Sequence, residues 1–313
     1  MNQILWRTKE QVPWDNSTAL VHLEGKKNMK EAALILEGGA VRGVFTSGVL
    51  DYLMEKELSF SYVVGVSAGA CNAVDYVSWQ PGRTRDCMIP KDKEYDFHNH
   101  KNMLRRKSLF DMDMIFDIYP NQVYPFDYDT YFQSPTVCEV TVTNCLTGKA
   151  EYLSERTDKQ RLMQMCRASS SLPLVSPMVY IDGTPYLDGG LSDSVPIRHT
   201  ITEGHKKNVV ILTRNTGYRK SLSKKTKKIY IAAYRKYPEL VKAIYYRAEK
   251  YNRTMEYIEY LEEKGRIFVL RPSMPAISKL ETKEEKLSEF YQHGYDSIKE
   301  RYNELVEYLE RKE

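Results

Sequence analysis

The order of elements between residues 32 and 76 places the strongest constraint on the fold. Continuous apolar runs at residues 32–36 and 62–66 are typical of strands buried on both faces of a sheet. Each run is followed by a segment with helical spacing, at residues 44–57 and 68–76. Strand, helix, strand, helix in this order predicts parallel strand pairing and therefore an α/β fold.

Further elements follow along the chain, and a charged, mainly helical region closes it. We expect strands at 137–143 with a partner ending near 153, at 208–213 and at 267–270, a hairpin at 179–187, helices at 158–168, within 221–264 and at 282–313, and irregular structure at 78–135. This organisation predicts an N-terminal lead-in (1–30), a catalytic-type core (31–215) and a mainly helical C-terminal extension (216–313).

The composition is that of an ordinary soluble protein, with 42% hydrophobic and 28% charged residues among 313. A net charge of +4 mildly favours anionic partners and does not single out nucleic acid. Five cysteines without a C-x-x-C pair predict a reduced, cytoplasmic protein. The N-terminus shows no signal-peptide pattern, and no apolar run reaches the ~18 residues of a membrane span. Peripheral contact with a membrane surface remains open.

A G-x-S-x-G motif lies between the second predicted strand and the helix after it. Its fixed residues are Gly65, Ser67 and Gly69. In this setting the serine sits on a sharp turn that exposes its hydroxyl, and the following helix directs its positive end at the same point. Glycine is expected at both flanks because neighbouring strands pass too close for a side chain. The motif therefore predicts Ser67 as a nucleophile.

A glycine-rich turn at residues 38–43 follows the first strand. Its free amides indicate either a phosphate cradle or an oxyanion hole. A dinucleotide site is disfavoured because Ala40 interrupts G-x-G-x-x-G and no acidic residue ends the next strand. No G-K-[ST] follows, so the turn is not a P-loop. Arg42 is expected to tie the loop down.

A serine nucleophile needs a proton acceptor. No histidine lies in a glycine-framed loop that would pair with the elbow; the six are His22, His98, His100, His199, His205 and His293. Asp188, followed by Gly189 and Gly190 at the end of the predicted hairpin, is the better candidate. A carboxylate acts as a general base when partial burial raises its pKa toward neutrality.

These three motifs, in this order, resemble those of the patatin-like phospholipase family across residues 32–215. The resemblance implies a Rossmann-like three-layer α/β/α fold and hydrolysis of lipid acyl esters. It implies a dyad of Ser67 and Asp188 without catalytic histidine, cofactor or metal. It also implies an oxyanion hole from the amides around Gly38, Gly39, Arg42 and Gly43. The chain departs from the family where the usual third glycine is Ala40.

Two segments bear on access to lipid. An apolar segment is expected to form a lid or wall for an acyl chain, or ordinary core, or both; it comprises Leu109, Phe110, Met112, Met114, Ile115, Phe116, Tyr119, Tyr124, Phe126, Tyr128, Tyr131 and Phe132. A basic segment at residues 214–236 has no acidic residue and indicates contact with anionic lipid or a solvated helix face.

Two alternatives remain open at this point. One is an α/β-hydrolase esterase in which His199 or His205 completes a Ser-His-Asp triad with Ser67. The other is a non-catalytic lipid-binding or regulatory protein that retains the site without using it.

Overall fold

The computed structural model describes residues 28–97, 110–221 and 223–312 of the chain. The predicted lead-in therefore lies outside the described residues up to position 27, as do His22, His98, His100 and Leu109. The side chains of residues 224–227 are likewise not described.

An eight-stranded mixed sheet organises the described residues. Its strands are β1 (Met29–Leu36), β2 (Ser59–Val66), β3 (Val137–Asn144), β4 (Ala150–Leu153), β5 (Val179–Ile181), β6 (Thr184–Asp188), β7 (Asn208–Ile211) and β8 (Phe268–Leu270). The order is β5-β6-β3-β2-β1-β7-β8, with β4 also pairing with β3. The pairs β1–β2, β1–β7, β2–β3 and β7–β8 are parallel, whereas β4, β5 and β6 pair antiparallel.

Helices cover both faces of this sheet. They are α1 (Gly43–Glu55), α2 (Ala68–Val77), α3 (Arg83–Met88), α4 (Tyr128–Gln133), α5 (Lys159–Ser170), α6 (Ile197–Thr202), α7 (Lys224–Ala233), α8 (Pro238–Glu263) and α9 (Glu284–Glu310). Residues 78–135, predicted as irregular, contain α3, α4 and a π-helical segment, Met114–Val123. Pro120 lies inside that segment and cannot donate a backbone hydrogen bond there.

The strand β1 shows why the molecule has three layers. Its alternate side chains point to opposite faces of the sheet. Leu34 and Leu36 pack into the core formed with α1, α2, α5 and α9, whereas Ala33 and Ile35 pack into a second core with α6 and α8. All four side chains are fully buried. The predicted α/β/α fold with C-terminal helices is confirmed.

The residues after position 216 share the sheet and both cores with the rest of the molecule. Strand β8 pairs in parallel with β7, and Phe290 of α9 packs against Phe45 of α1 at 5.6 Å between ring centroids. The proposed domain boundary near residue 216 remains a prediction. Among the described helices, none combines the length and apolarity required to cross a bilayer.

Candidate active site

Ser67 occupies a strained turn between β2 and α2. Its backbone angles are φ 55° and ψ −123°, a conformation that non-glycine residues rarely adopt and that concentrates at functional sites. The flanking glycines leave no room for side chains. A Cβ at Gly65 would lie 2.3 Å from the Gly69 carbonyl oxygen, and a Cβ at Gly69 would lie 2.3 Å from that of Leu36.

Ser169, near the C-terminal end of α5, fixes this turn through two hydrogen bonds. The Ser67 amide donates to the Ser169 hydroxyl over 2.8 Å, and that hydroxyl donates to the Thr141 carbonyl over 2.7 Å. Ser169 thus ties the backbone of Ser67 to strand β3. Sequence reasoning missed this residue, and its one signal was a run of three serines at 169–171 that ends a predicted helix.

Asp188 ends β6, and its side chain approaches Ser67 although strand β3 separates β6 from β2. Its side chain accepts a hydrogen bond of 2.7 Å from the Gly190 amide, and the nearby Ser67 hydroxyl lowers the pKa of its carboxyl. The residue is only 3% exposed. A Cβ at Gly189 would lie 2.2 Å from the Thr141 carbonyl oxygen, so this glycine lets β6 approach β3 closely. The two residues predicted as a dyad are therefore adjacent.

Burial sets the electrostatics of Asp188. Desolvation raises the pKa of the Asp188 carboxyl above its usual value. Three groups lower the pKa of the Asp188 carboxyl instead; in decreasing order of effect, they are the Arg247 guanidinium, the Gly190 amide and the Ser67 hydroxyl. A carboxyl with a raised pKa is a stronger base once ionised, and it is better matched to removing a proton from serine.

The glycine-rich turn lies directly against Ser67. A Cβ at Gly38 would lie 2.7 Å from the Val66 carbonyl oxygen and 2.9 Å from Ser67 Cβ. Thr213 fixes the turn, because its hydroxyl donates to the Gly38 carbonyl over 3.0 Å. Its amide also donates to the Glu37 carboxylate over 2.8 Å.

The amides of this turn are not equally available. That of Arg42 donates to the Gly39 carbonyl over 3.3 Å, and that of Gly43 donates to carbonyls within the same 3₁₀ turn. Within the described residues, the amides of Gly38 and Gly39 make no backbone hydrogen bond. Ala40 adopts φ 51°, the left-handed conformation that favours glycine. Ala40 therefore adopts a backbone conformation that glycine takes more readily than alanine.

The two histidines of the alternative triad lie elsewhere. His199 Nε2 is 2.7 Å from the Glu139 carboxylate, and its ring stacks on Tyr152 with 3.5 Å between centroids. The His205 ring lies 4.2 Å from that of Tyr62, which precedes Ser67 by five residues on β2. At the usual rise of a strand, those five residues span roughly 16 Å. This placement removes the geometric basis for His199 or His205 as the base.

Two cavities meet at Ser67. An apolar cavity of about 110 Å³ and a polar pocket of about 320 Å³ share Ala40, Ser67 and Leu172 in their walls. Of the predicted apolar segment, Phe110, Met112, Ile115, Phe116 and Tyr119 line the apolar cavity. Others, such as Tyr131, are fully buried core, so the segment contributes both to the cavity wall and to the core.

The polar pocket contains Asp188 and a group of basic side chains. Asp188 and Gly190 line it together with basic residues from several parts of the chain. Within the ranges that the structure describes, no group of three or more His, Cys, Asp or Glu side chains is arranged to hold a metal ion.

Comparison with known proteins places this site in a family. The model of the patatin-like phospholipase family matches residues 34–201, which is more than half of the chain. The chain belongs to the patatin-like phospholipase family, a class of lipid acyl hydrolases. A second model, DUF6363, described as a domain of unknown function, matches residues 237–310.

Two individual proteins are similar to this chain. The uncharacterized protein YjjU of Escherichia coli (strain K12) is 32% identical over 188 residues, which are 58% of this chain and 51% of YjjU. The chain thus spans about half the length of this relative. The crystal structure of VipD from Legionella pneumophila is 13% identical, with a TM-score of 0.49, over 87% of this chain and 67% of that one.

Proposed function

We propose that the protein is a lipid acyl hydrolase of the phospholipase A or esterase type, with Ser67 as nucleophile and Asp188 as general base. The proximity of these two side chains, inside a pocket that both line, carries the proposal. The bound ester is expected to place its acyl chain in the apolar cavity and its carbonyl carbon beside Ser67.

The proposed reaction proceeds through an acyl-enzyme. The Asp188 carboxylate accepts the proton of the Ser67 hydroxyl as its oxygen bonds to the carbonyl carbon. The amides of Gly38 and Gly39 stabilise the negative charge on the former carbonyl oxygen, and we omit Arg42 and Gly43 because their amides are occupied within the turn. Asp188 then protonates the leaving alcohol, and water hydrolyses the acyl-enzyme by the same route.

Substitution of the dyad tests this mechanism. Ser67→Ala and Asp188→Asn should each lower kcat/KM on a lipid ester by about a thousandfold or more. Only the Ser67→Ala variant should entirely lose labelling by a fluorophosphonate probe. Ser47→Ala serves as the matched control, because Ser47 is a buried serine whose hydroxyl has no hydrogen-bond partner among the described residues.

The same assay separates the alternatives. Full activity of Ser67→Ala would refute the proposal. Loss of activity in His199→Ala or His205→Ala, with activity kept in Asp188→Asn, would favour a histidine triad instead. Absence of probe labelling in the wild-type protein, together with absence of ester hydrolysis, would indicate a non-catalytic lipid-binding protein.

We also propose peripheral contact with anionic membranes through α7. Ile229 and Ile231 are 48% and 47% exposed there, and Lys228, Arg235 and Lys236 are exposed on the same stretch. Other members of the basic segment are used elsewhere: Arg219 pairs with Glu259, for example. Sedimentation with anionic vesicles but not with neutral ones is expected. Equal sedimentation with anionic and neutral vesicles would rule out this electrostatic contact. A cytoplasmic location remains a prediction.

A further inference from the structure

Helix α8 lies beside the turn that carries Asp188, and one face of the helix contacts that turn. Leu240, Ile244 and Arg247 are spaced four and then three residues apart, so their side chains project from the same side of α8. This side covers the 3₁₀ turn Gly189–Leu191, which begins directly after Asp188.

Two apolar side chains on this face anchor the helix to the turn. Leu240 and Ile244 pack in one buried cluster with Leu187, which precedes Asp188, and with Leu191, which ends the turn. All four side chains are at most 2% exposed. The helix therefore contacts the chain on both sides of Asp188, and close packing fixes the helix and the turn relative to each other.

Arg247 adds polar contacts to this packing. Its Nε–H donates to the Gly190 carbonyl over 2.6 Å, and the Gly190 amide donates to the Asp188 carboxylate over 2.7 Å. Gly190 is thus held at its carbonyl by the guanidinium and at its amide by the carboxylate. The Ser194 hydroxyl also donates to the Gly190 carbonyl, over 2.9 Å. The hydrogen bond that orients Asp188 therefore comes from a residue that Arg247 holds in place.

The space around residue 190 is matched to this contact. A Cβ at Gly190 would lie 3.0 Å from Asp188 Oδ1 and 3.4 Å from a terminal nitrogen of Arg247. The carboxylate and the guanidinium therefore both lie close to the backbone of this glycine. Arg247 also lines the pocket that Ser67 and Asp188 share.

Arg247 acts on Asp188 through its charge as well. Burial raises the pKa of the Asp188 carboxyl, and the Arg247 guanidinium is the strongest of the groups that lower it, because a positive charge favours the ionised carboxylate. Other groups that face Asp188 come from several parts of the chain; they are the Gly190 amide, the Ser67 hydroxyl, Lys220 before α7 and Lys279 before α9.

We propose that Arg247 is a positioning residue for the general base, through which helix α8 holds the Asp188 carboxylate in the orientation that removal of the Ser67 proton requires. The inference rests on the proposed function of these two residues. It gives a role to residues 237–310, the region of unknown function that contains Arg247. This region would support catalysis through Asp188, without contacting the reacting ester.

Two substitutions in the full chain test the proposal. Arg247→Gln removes the charge and the Nε–H, whereas Arg247→Lys keeps a positive charge without the planar guanidinium. The assay follows release of hexanoate from hexanoylglycerol, an uncharged ester used as a monomer. We expect Arg247→Gln to lower kcat by about tenfold or more and to change KM by less than about twofold, because a residue that acts through the base alters proton transfer and not binding.

The pH profile separates a positioning role from general damage to the fold. Loss of the positive charge raises the pKa of the Asp188 carboxyl further, so the acidic limb of kcat/KM should move to higher pH in Arg247→Gln. Arg247→Lys should keep this limb close to that of wild type and should recover part of kcat. An equal fall of kcat in both variants, with neither limb displaced, would overturn the proposal in favour of a structural role.

Labelling of Ser67 by a fluorophosphonate probe provides a second measurement, which needs only the folded fraction of each variant. Its rate depends on proton removal by Asp188 and not on binding of the ester. We expect slower labelling in Arg247→Gln than in Arg247→Lys, and slower labelling in both than in wild type. Equal rates in all three proteins would overturn the proposal.

Arg253→Gln is the matched control, because Arg253 lies on the same helix with an exposed side chain paired to Glu249. It should leave kcat and the acidic limb unchanged. The same result for Arg247→Gln would overturn the role of Arg247 and leave the hydrolase standing. Full activity of Asp188→Asn would instead remove the proposed base, and the role of Arg247 with it.

Discussion

At the scale of single residues, the site combines a buried carboxyl with a buried ammonium. Asp188 and Lys220 line one pocket, and desolvation raises the pKa of the first and lowers that of the second. Both shifts favour the uncharged forms, whereas the proposed chemistry uses an ionised Asp188. The lower pH limit of activity should therefore be set by Asp188.

We predict an acidic limit to activity. Asp188 must be ionised to accept the proton of Ser67, so kcat/KM on an ester should fall as the pH drops through the raised pKa of the Asp188 carboxyl.

Initial rates on an uncharged ester across the pH range check this prediction, because the charge of that substrate is constant. A rate that does not fall toward low pH would contradict it.

The sequence predicts those site residues whose local motif carries the information. Ser67 and Asp188 stand in glycine-framed turns, and the structure brings them together across 121 positions. Ser169 and Arg247 stand in no such motif, because their roles depend on which elements pack beside the elbow. Arg42 and Gly43 were assigned to the oxyanion hole by resemblance, and only the hydrogen bonds of the turn show that their amides are occupied.

At the scale of elements, helices α1 and α9, which are far apart in the sequence, pack with their backbones in close contact. A Cβ at Gly48 of α1 would lie 2.1 Å from the Tyr291 carbonyl oxygen on α9. Reciprocally, a Cβ at Gly294 would lie 2.0 Å from the Phe45 carbonyl oxygen. The contacting atoms belong to the backbone, so a side chain at either position would separate the helices.

Gly294→Ala should lower the free energy of unfolding by about 3 kcal/mol, the upper end of typical overpacking costs. Urea denaturation monitored by circular dichroism measures it. Lys299→Ala, an exposed substitution on the same helix, is the control and should change this free energy by no more than about 0.5 kcal/mol. An unchanged midpoint for Gly294→Ala would show that the two helices do not pack at this distance.

The elements that the sequence predicts well are those with a single strong pattern. The apolar run of β1 and the turn at Asp182-Gly183, where both residues have positive φ, fall where expected. The segment around Pro120 does not, because proline, charge and closely spaced aromatics hide the helical period. Nothing local shows that this segment will line a cavity with Ser67.

At the scale of the whole molecule, the C-terminal residues complete the fold. Strand β8 covers the edge of β7, and α9 covers α1. Removing both would expose an unpaired strand edge and a large apolar helix face.

We therefore predict that a chain ending at residue 216 does not fold cooperatively. Thermal unfolding followed by near-ultraviolet circular dichroism, with the full chain measured under the same conditions, provides the check. A sharp transition in the shortened chain would establish the proposed boundary near residue 216 as the limit of an independent folding unit.

The residues around Ser67 come from two parts of the chain, and this separation bears on how substrate selectivity could change between relatives. The proposed nucleophile, base and oxyanion donors precede residue 202, whereas Arg214, Lys220, Arg247 and Lys279 follow it. Exchanging the residues after position 202 between homologues, with the contact between α1 and α9 kept intact, should therefore change which alcohol portion of the ester is preferred. The residues proposed to cleave the ester bond would stay the same. Substrate selectivity within such a family would then diverge through substitutions after residue 202.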